Sequence, residues 1–437
     1  MVSNAHKEIL NIALPSILSN ITVPLLGLVD IAIVGHLGSA SHIGAIAIGT
    51  TIFNMIYWIF AFFRMGTSGM TSQAYGAGNK KDIQALLYRS LLCSLAVALI
   101  ILVSQIPLRE FSLIIMSPDN QVKAYAIEYF NICIWGAPAT LGLYCITGWL
   151  LGLQNARYPL YLAISQNIVN IICSLFFVYV MKWNVAGVAY GTVIAQYLGL
   201  ILSLLLCYKT LSSLNMRIKW ISNEVLNKKS IQRFFSINSD IFFRTLCLVI
   251  VTVFFTAAGS RQGDVILAVN ALLMQFFTLY SYFMDGFAFA GEALMGKYVG
   301  AKDETSQHVI IKSLFVWGCA VASIFTLTYT IGGTNIIYLL TDEQSVRVTA
   351  KEFLSWVVCI PLVGLSAFIW DGIYIGLTAT KQMLYSMFIA MTGFFITYFL
   401  LRNHLNNHAL WISFLFYLFT RGIVQHIIYK KLFAKKL

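Results

Sequence analysis

Residues 91–107 read LLCSLAVALIILVSQIP and residues 193–206 read VIAQYLGLILSLLL. With their weakly polar flanks, both runs reach the ~20 residues that an α-helix needs to cross a bilayer core. Such runs recur along the whole chain. Of its 437 residues 59% are hydrophobic and 11% charged, with a mean hydropathy of +0.79, whereas a soluble domain carries about 25% charged residues. So little polarity cannot cover a surface in water. The sequence therefore predicts an all-α integral membrane protein with twelve transmembrane helices. Numbered in order, the first six spans fall at 12–34, 43–75, 85–106, 125–151, 159–181 and 185–208. The second six fall at 236–258, 265–297, 309–332, 353–378, 382–402 and 407–428. The first span carries Asn20, Pro24 and Asp30 and lacks a small-residue cleavage site, so it is expected to be a retained helix and not a signal peptide.

A formal net charge of +12 raises the question of nucleic acid, and its distribution answers it. With the N-terminus inside, 18 of the 29 Lys and Arg fall in inner loops and tails, seven in outer loops and four within spans. That is the positive-inside pattern of a multi-pass protein with both termini in the cytoplasm, and no nucleic-acid partner is expected. The eight cysteines all lie inside predicted spans without ligand-like spacing, which reads as apolar packing. His36 and His42 read as solvated residues of the first outer loop, and no metal site is expected.

GLQNARYPLY (152–161) is matched by GLTATKQMLY (376–385), at a separation of 224 residues. The same shift pairs Gly35 with Gly259, Gly76–Ala77 with Gly300–Ala301, and Gly148 with Gly372. An offset of six spans, an even number, makes the two halves a parallel repeat. This predicts an N-terminal lobe at 1–208, a basic cytoplasmic linker at 209–235 and a C-terminal lobe at 236–437. In such architectures the substrate path lies between halves that rock against each other.

An ionisable group within a bilayer costs at least about 2.5–3.5 kcal/mol, so each one is a candidate for function. Asp30 is the buried carboxylate of the first half, ~6 Å from the outer end of span 1. Asn170 and Ser174 share a face of span 5 with Gln166, and Thr192 on span 6 precedes Gln196 by one turn. Together Asp30, Asn170, Ser174 and Thr192 offer a carboxylate, an amide and two hydroxyls at similar depth, able to hold a small cation or an exchangeable proton. The neutral residues could equally be interhelical hydrogen-bonding groups, worth roughly 0.6 kcal/mol each. The second half carries Arg244, Asp285, Glu292 and Asp371, a candidate charge network in which Asp240 can also pair with Arg244 at i, i+4. It reads as a lobe brace or as part of the coupling. Pro24 predicts a bend in span 1 close to Asp30.

The segments LPSILSNITVPLLGLVDIAIVGHLG (14–38), FFRMGTSGMTSQAYGAGN (62–79), GLQNARYP (152–159), YFMDGFAFAGEALMGKYVGA (282–301) and WDGIYIGLTATKQM (370–383) together resemble the multidrug and toxic compound extrusion (MATE) family, in its DinF-like branch. The resemblance implies two six-helix lobes around a central cleft. It further implies export of organic cations or toxic amphiphilic compounds, driven by an inward proton or sodium gradient through alternating access. Asp30, Asn170 and Thr192 match the family's polar residues on spans 1, 5 and 6. Where sodium-binding members carry a second aspartate, this chain has Ser174. A single carboxylate holds a desolvated Na⁺ weakly, so the expected coupling ion is a proton, with sodium the alternative and no other cofactor.

Tyr57, Met65, Met70 and Tyr144 are candidate substrate-cleft residues, with core or lipid-facing roles as the competing reading. The expected partners are the lipid bilayer of the cell membrane and a small cationic or amphiphilic substrate, and the expected state is a monomer. A lipid-linked saccharide flippase of the same superfamily is the alternative. The loop AYGAGNKKDI (74–83) lacks the acidic and arginine signature of major facilitator transporters. An enzyme is not expected, since no nucleophile and base pair stands out.

Overall fold

The computed structural model describes residues 2–35, 40–216 and 222–432. His36, Arg217 and Lys219 of the linker, and Lys435 and Lys436 of the tail lie outside the described residues. Among the described residues the regular elements are all helices. They are α1 (Val2–Gly35), α2 (Ala40–Ile59), α3 (Phe62–Gly76), α4 (Lys80–Val103), α5 (Gln105–Met116), α6 (Asn120–Cys133), α7 (Ala137–Gly152) and α8 (Arg157–Leu175). There follow α9 (Asn184–Ser213), α10 (Ser222–Val225), α11 (Lys228–Ser260), α12 (Asp264–Gly300), α13 (Glu304–Leu340), α14 (Gln344–Gly376) and α15 (Thr380–Leu432). A 3₁₀ turn at Ile134–Gly136 joins α6 to α7, and a π turn at Phe176–Val180 extends α8.

Ten stretches of the described residues are long and apolar enough to cross a membrane, with α2–α3 and α6–α7 each counted as one. The last, Thr380–Lys431, holds two helices, because Asn406 at φ 45° and ψ −122° breaks the helical path. Dividing it there and adding the 34 residues of α1 gives the twelve predicted spans in their predicted order. Most run past their predicted ends, since a helix continues into polar caps that apolar patterning does not count. α1 is helical without a break through Pro24. One element is new. α5, of 12 residues, fills what reads as an outer loop and exposes Ile106, Phe111 and Ile114, too short to span and apolar enough to lie against lipid.

The chain divides into two compact units, Leu18–Phe235 and Met1–Ile17 with Ser236–Leu437. The start of α1 thus packs with the C-terminal residues. There Trp317 donates to His6 Nδ1 at 3.1 Å, and Lys297 and the Tyr298 hydroxyl meet Glu8 at 3.3 and 2.8 Å. The linker belongs with the N-terminal residues. The buried Arg89 on α4 donates to the carbonyls of Glu224 and Val225 at 2.6 and 3.0 Å, fixing α10 to α4.

Inside each unit the 224-residue repeat reappears as geometry. A Cβ on Gly152 would meet Ser68 O, Thr71 and Ser72 N at 2.7–3.0 Å; one on Gly376 would meet Glu292 O, Met295 and Gly296 N at 2.7–2.9 Å. Every partner is shifted by the same 224. Gly148 likewise faces the Arg64 carbonyl and Gly372 that of Ala288. These glycines let α7 approach α3, and α14 approach α12, backbone to backbone, which is how helices gain packing where water supplies no driving force. The turns also repeat. α3 and α12 end at Gly76 and Gly300, Gly78 and Lys302 take φ of 66° and 57°, and Asn79 and Asp303 then cap the next helices by accepting from the amides of Asp82 and Ser306. Gln154 and Thr378 match in the same way, with φ of 66° and 53°.

Candidate functional site: a buried carboxylate and two polar clusters

Three of the four candidate coupling residues meet directly. Asn170 on α8 donates its amide to Thr192 Oγ1 on α9 at 2.9 Å, Ser174 donates to Asn170 Oδ1 at 3.4 Å, and Thr192 donates to the Val188 carbonyl at 3.0 Å. Glycines on α9 make this possible. Gly191 faces Ser174 and Gly199 faces Gln166, with no room for a Cβ at either position. Asn170 and Ser174 are enclosed, at 1% and 0% exposure. Each polar group in this chain answers the next, which is what burial of amides and hydroxyls requires.

Asp30 stands apart from that chain, with no hydrogen bond to it among the described residues. Its carboxylate is buried, and Oδ1 has no donor among the described residues. Its flanking residues Val29, Ile31 and Ile33 pack into an apolar cluster with Tyr129, Cys133, Val185, Val188 and Ala189. Tyr129 and Cys133, one turn apart on α6, are the groups within electrostatic reach of Asp30. Cys133 Sγ in turn lies 3.9 Å from the Ala189 carbonyl, one turn before Thr192 on α9. α1 is held against α8 by Asn167 donating to Thr22 O and by the Tyr179 hydroxyl donating to Ile33 O, both at 3.0 Å. A carboxylate kept by such packing among apolar groups is costly to hold charged.

Tyr57 and Tyr144 join the same cluster, Tyr57 in its buried part and Tyr144 against it. Met70 is buried and Met65 half-buried on α3. His42 corrects the reading of a solvated loop residue. It lies on α2, buried, with its ring edge-on to Tyr125 at 4.5 Å, because α2 begins three residues earlier than predicted.

In the C-terminal unit the charge network takes a different membership from the expected one. Arg244 pairs with Asp371, and the same Asp371 Oδ2 pairs with Arg421 on α15, while Gln425 donates to Oδ1 at 2.7 Å. Asp240 accepts from Thr380 at 2.8 Å and not from Arg244. Asp285, half-buried, and Glu292, buried, lie on α12, and neither is the ion-pair partner of Arg244. Around Asp371 the pairing is thus of two bases with one acid. Arg421 was legible as the one cation within the last span, and a buried cation demands a carboxylate. Tyr129, Cys133 and Gln425 carried no comparable signal.

Comparison with known proteins follows from this architecture. The MatE family profile matches residues 15–176 and 241–399, two matches whose starts lie 226 residues apart, close to the internal repeat. The chain is 37% identical over 433 residues to DNA damage-inducible protein F of Escherichia coli K12, covering 98% of this chain and 93% of that one. It is 21% identical over 358 residues to a probable multidrug resistance protein NorM of Thermotoga maritima, covering 80% and 74%. Its fold superimposes on the bent form of the Vibrio cholerae MATE transporter VcmN with a TM-score of 0.86 at 19% identity, covering 98% and 97% of the two chains. The two-fold match of one profile, the twelve spans and the relative at 37% identity lead to one conclusion: the chain belongs to the MatE family of multidrug and toxic compound extrusion transporters.

Proposed function

We propose that this transporter is a proton-coupled antiporter that exports organic cations or toxic amphiphilic compounds from the cytoplasm, with Asp30 as the coupling residue. The observation that carries this reading is the buried Asp30 carboxylate with Oδ1 lacking a donor among the described residues. In its apolar surroundings the neutral, protonated acid is the cheaper form, and hydration of the site restores the charged form and releases the proton. An alternating-access cycle needs this: a group that loads on one side and unloads on the other.

Sodium coupling is the weaker reading, because the neighbouring oxygens are already committed. Asn170 Oδ1 accepts from Ser174 and Thr192 Oγ1 accepts from Asn170, so each oxygen has one lone pair fewer for a bare Na⁺, which would have only one formal charge to offset its lost hydration. The MatE match across both halves supports export over saccharide flipping. The chain acts in the cell membrane as a monomer with both termini in the cytoplasm.

Purified protein in proteoliposomes, given a pH gradient or a sodium gradient separately and a panel of cationic and anionic amphiphiles, tests the reading. Uphill movement of a cationic amphiphile on a pH gradient without sodium is the expected result. Movement on sodium alone at constant pH would overturn the proton assignment.

A further inference from the structure

In the C-terminal unit, two guanidinium groups share one carboxylate. The side chains of Arg244 and Asp371 are each 8% exposed and that of Arg421 is 4% exposed, so all three are buried. Asp371 is the one carboxylate that either arginine pairs with among the described residues. The cluster therefore carries one uncompensated positive charge. The Nε atoms of both arginines are enclosed without an acceptor among the described residues. The groups lining it are neutral: Gln425 donates to Asp371, the Phe368 ring lies 5.8 Å from Arg421, and the Tyr417 hydroxyl, which donates to Met387 Sδ at 3.0 Å, also hydrogen-bonds Arg421, while Asp240, one turn from Arg244 on α11, is taken by Thr380. A net charge held in a membrane protein's interior is costly unless a counter-charge joins it.

We propose that Arg244 and Arg421 form a binding site for one small monoanion, a halide or the carboxylate of a transported amphiphile. Guanidinium groups suit either, presenting several donors to a single anionic group. The anion adds to the proton site of the N-terminal unit and does not replace it. A carboxylate bound here widens the substrate class from cations to zwitterionic and acidic amphiphiles.

Chlorine NMR of the purified full-length protein in detergent measures the site directly. Chloride exchanging with the protein broadens its resonance, and acetate added at constant sodium concentration narrows it again by competition. Arg244→Gln and Arg421→Gln each leave one arginine opposite Asp371, a neutral pair that needs no anion. Each variant is expected to elute as a monodisperse peak and to lose at least about tenfold in chloride affinity. Broadening that is equal in wild type and both variants, or that acetate does not relieve, overturns the proposal. In proteoliposomes, export lost on replacing chloride by isethionate identifies a resident halide, while export competitively inhibited by chloride identifies the substrate's own carboxylate. The NMR readout needs no transport, so failure of the export reading leaves it standing.

Discussion

The α-carbon of Gly372 rests on the carbonyl oxygen of Ala288, so close that a methyl group on Gly372 would overlap it. Gly148 meets the carbonyl of Arg64 in the same way in the other unit. A carbonyl in a helix backbone cannot swing aside as a side-chain end can. Gly372→Ala must therefore push α14 from α12, at a cost of about 1–3 kcal/mol for overpacking. Gly332 on α13 has open space around its α-carbon, and Gly332→Ala is expected to be neutral or to stabilise by up to ~1 kcal/mol through helix propensity. Thermal midpoints of the two variants in one detergent check the contrast, and equal midpoints would count against the close approach.

The repeated cap at Asn79 and Asp303 separates a charged from an uncharged version of one turn. The Ser306 hydroxyl and amide donate to Asp303 at 2.6 and 3.0 Å, and these bonds hold its carboxyl below the usual value of 3.8. A lowered folded-state value means that ionised Asp303 stabilises the fold above that pH, and that the contribution is lost as pH falls through the lowered value. Asn79 accepts from the Asp82 amide through an oxygen that does not titrate, so this cap bond survives acid, although the Asn79 amide also donates to Asp82 Oδ2 at 2.7 Å. Acid should thus loosen the start of α13 before that of α4, and Asp303→Asn should remove the difference. Hydrogen exchange at the two helix starts, followed as pH falls below 4, measures it.

Asp371 pairs with two arginines, which ranks the substitutions at this cluster. Arg244→Ala leaves Arg421 paired with Asp371, whereas Asp371→Ala leaves two buried guanidinium groups without a carboxylate. Removing the shared partner of buried charges costs about 3–5 kcal/mol, so Asp371→Ala should lose most of its folded yield. Arg244→Ala should fall between it and a lipid-facing substitution such as Ile331→Ala, at a residue 81% exposed. Fluorescence size-exclusion profiles of the three variants give the order, and an Arg244→Ala profile like that of Ile331→Ala would remove the need for the pair.

The sequence carries the twelve spans and the repeat because both rest on patterns along the chain: long apolar runs, and glycines such as Gly148 and Gly372 at a constant shift. It carries the candidate site less completely. Asn170, Ser174 and Thr192 are visible by helical spacing, and they do meet. That the neighbours of Asp30, Val29, Ile31 and Ile33, share an apolar cluster with Tyr129 and Cys133 depends on tertiary packing, which no local pattern encodes. The same holds for Arg421 choosing Asp371. Arg244 and Asp240 satisfy the i, i+4 rule, yet Arg244 pairs across the helix interface with the buried Asp371 and Asp240 accepts from Thr380, since a buried ion pair between helices outweighs a weak pair along one helix. α5 escapes detection because its 12 residues fall below the length of a span.

Ser174→Asp tests the sodium alternative, and the structure adds a control to it. Ser174 lies against Gly191 with no spare volume, so a larger side chain strains the α8–α9 contact whatever its charge. Ser174→Asn carries the same bulk without the charge. A second carboxylate should raise the sodium dependence of export in Ser174→Asp alone, while both variants share the loss of folded yield. Equal sodium responses in the two would show that bulk, not charge, is what the position feels.

Asp30→Asn then tests the coupling itself. The amide keeps the size of the acid and mimics its protonated form, and an apolar cluster around Val29, Ile31 and Ile33 tolerates a neutral group better than a charged one. The variant is therefore expected to fold at least as well as wild type and to bind substrate, since nothing packed against Asp30 depends on its charge for a hydrogen bond to Oδ1. What it lacks is a proton to release. Uphill export should fall to the level of empty liposomes, while downhill exchange of labelled for unlabelled substrate, which needs no net proton movement, should survive. That split separates a coupling role from a structural one, because a misfolded protein loses both activities and a bystander residue loses neither. Measuring the two fluxes side by side in Asp30→Asn and wild-type proteoliposomes decides it, and uphill pumping by the variant would take the coupling role away from Asp30.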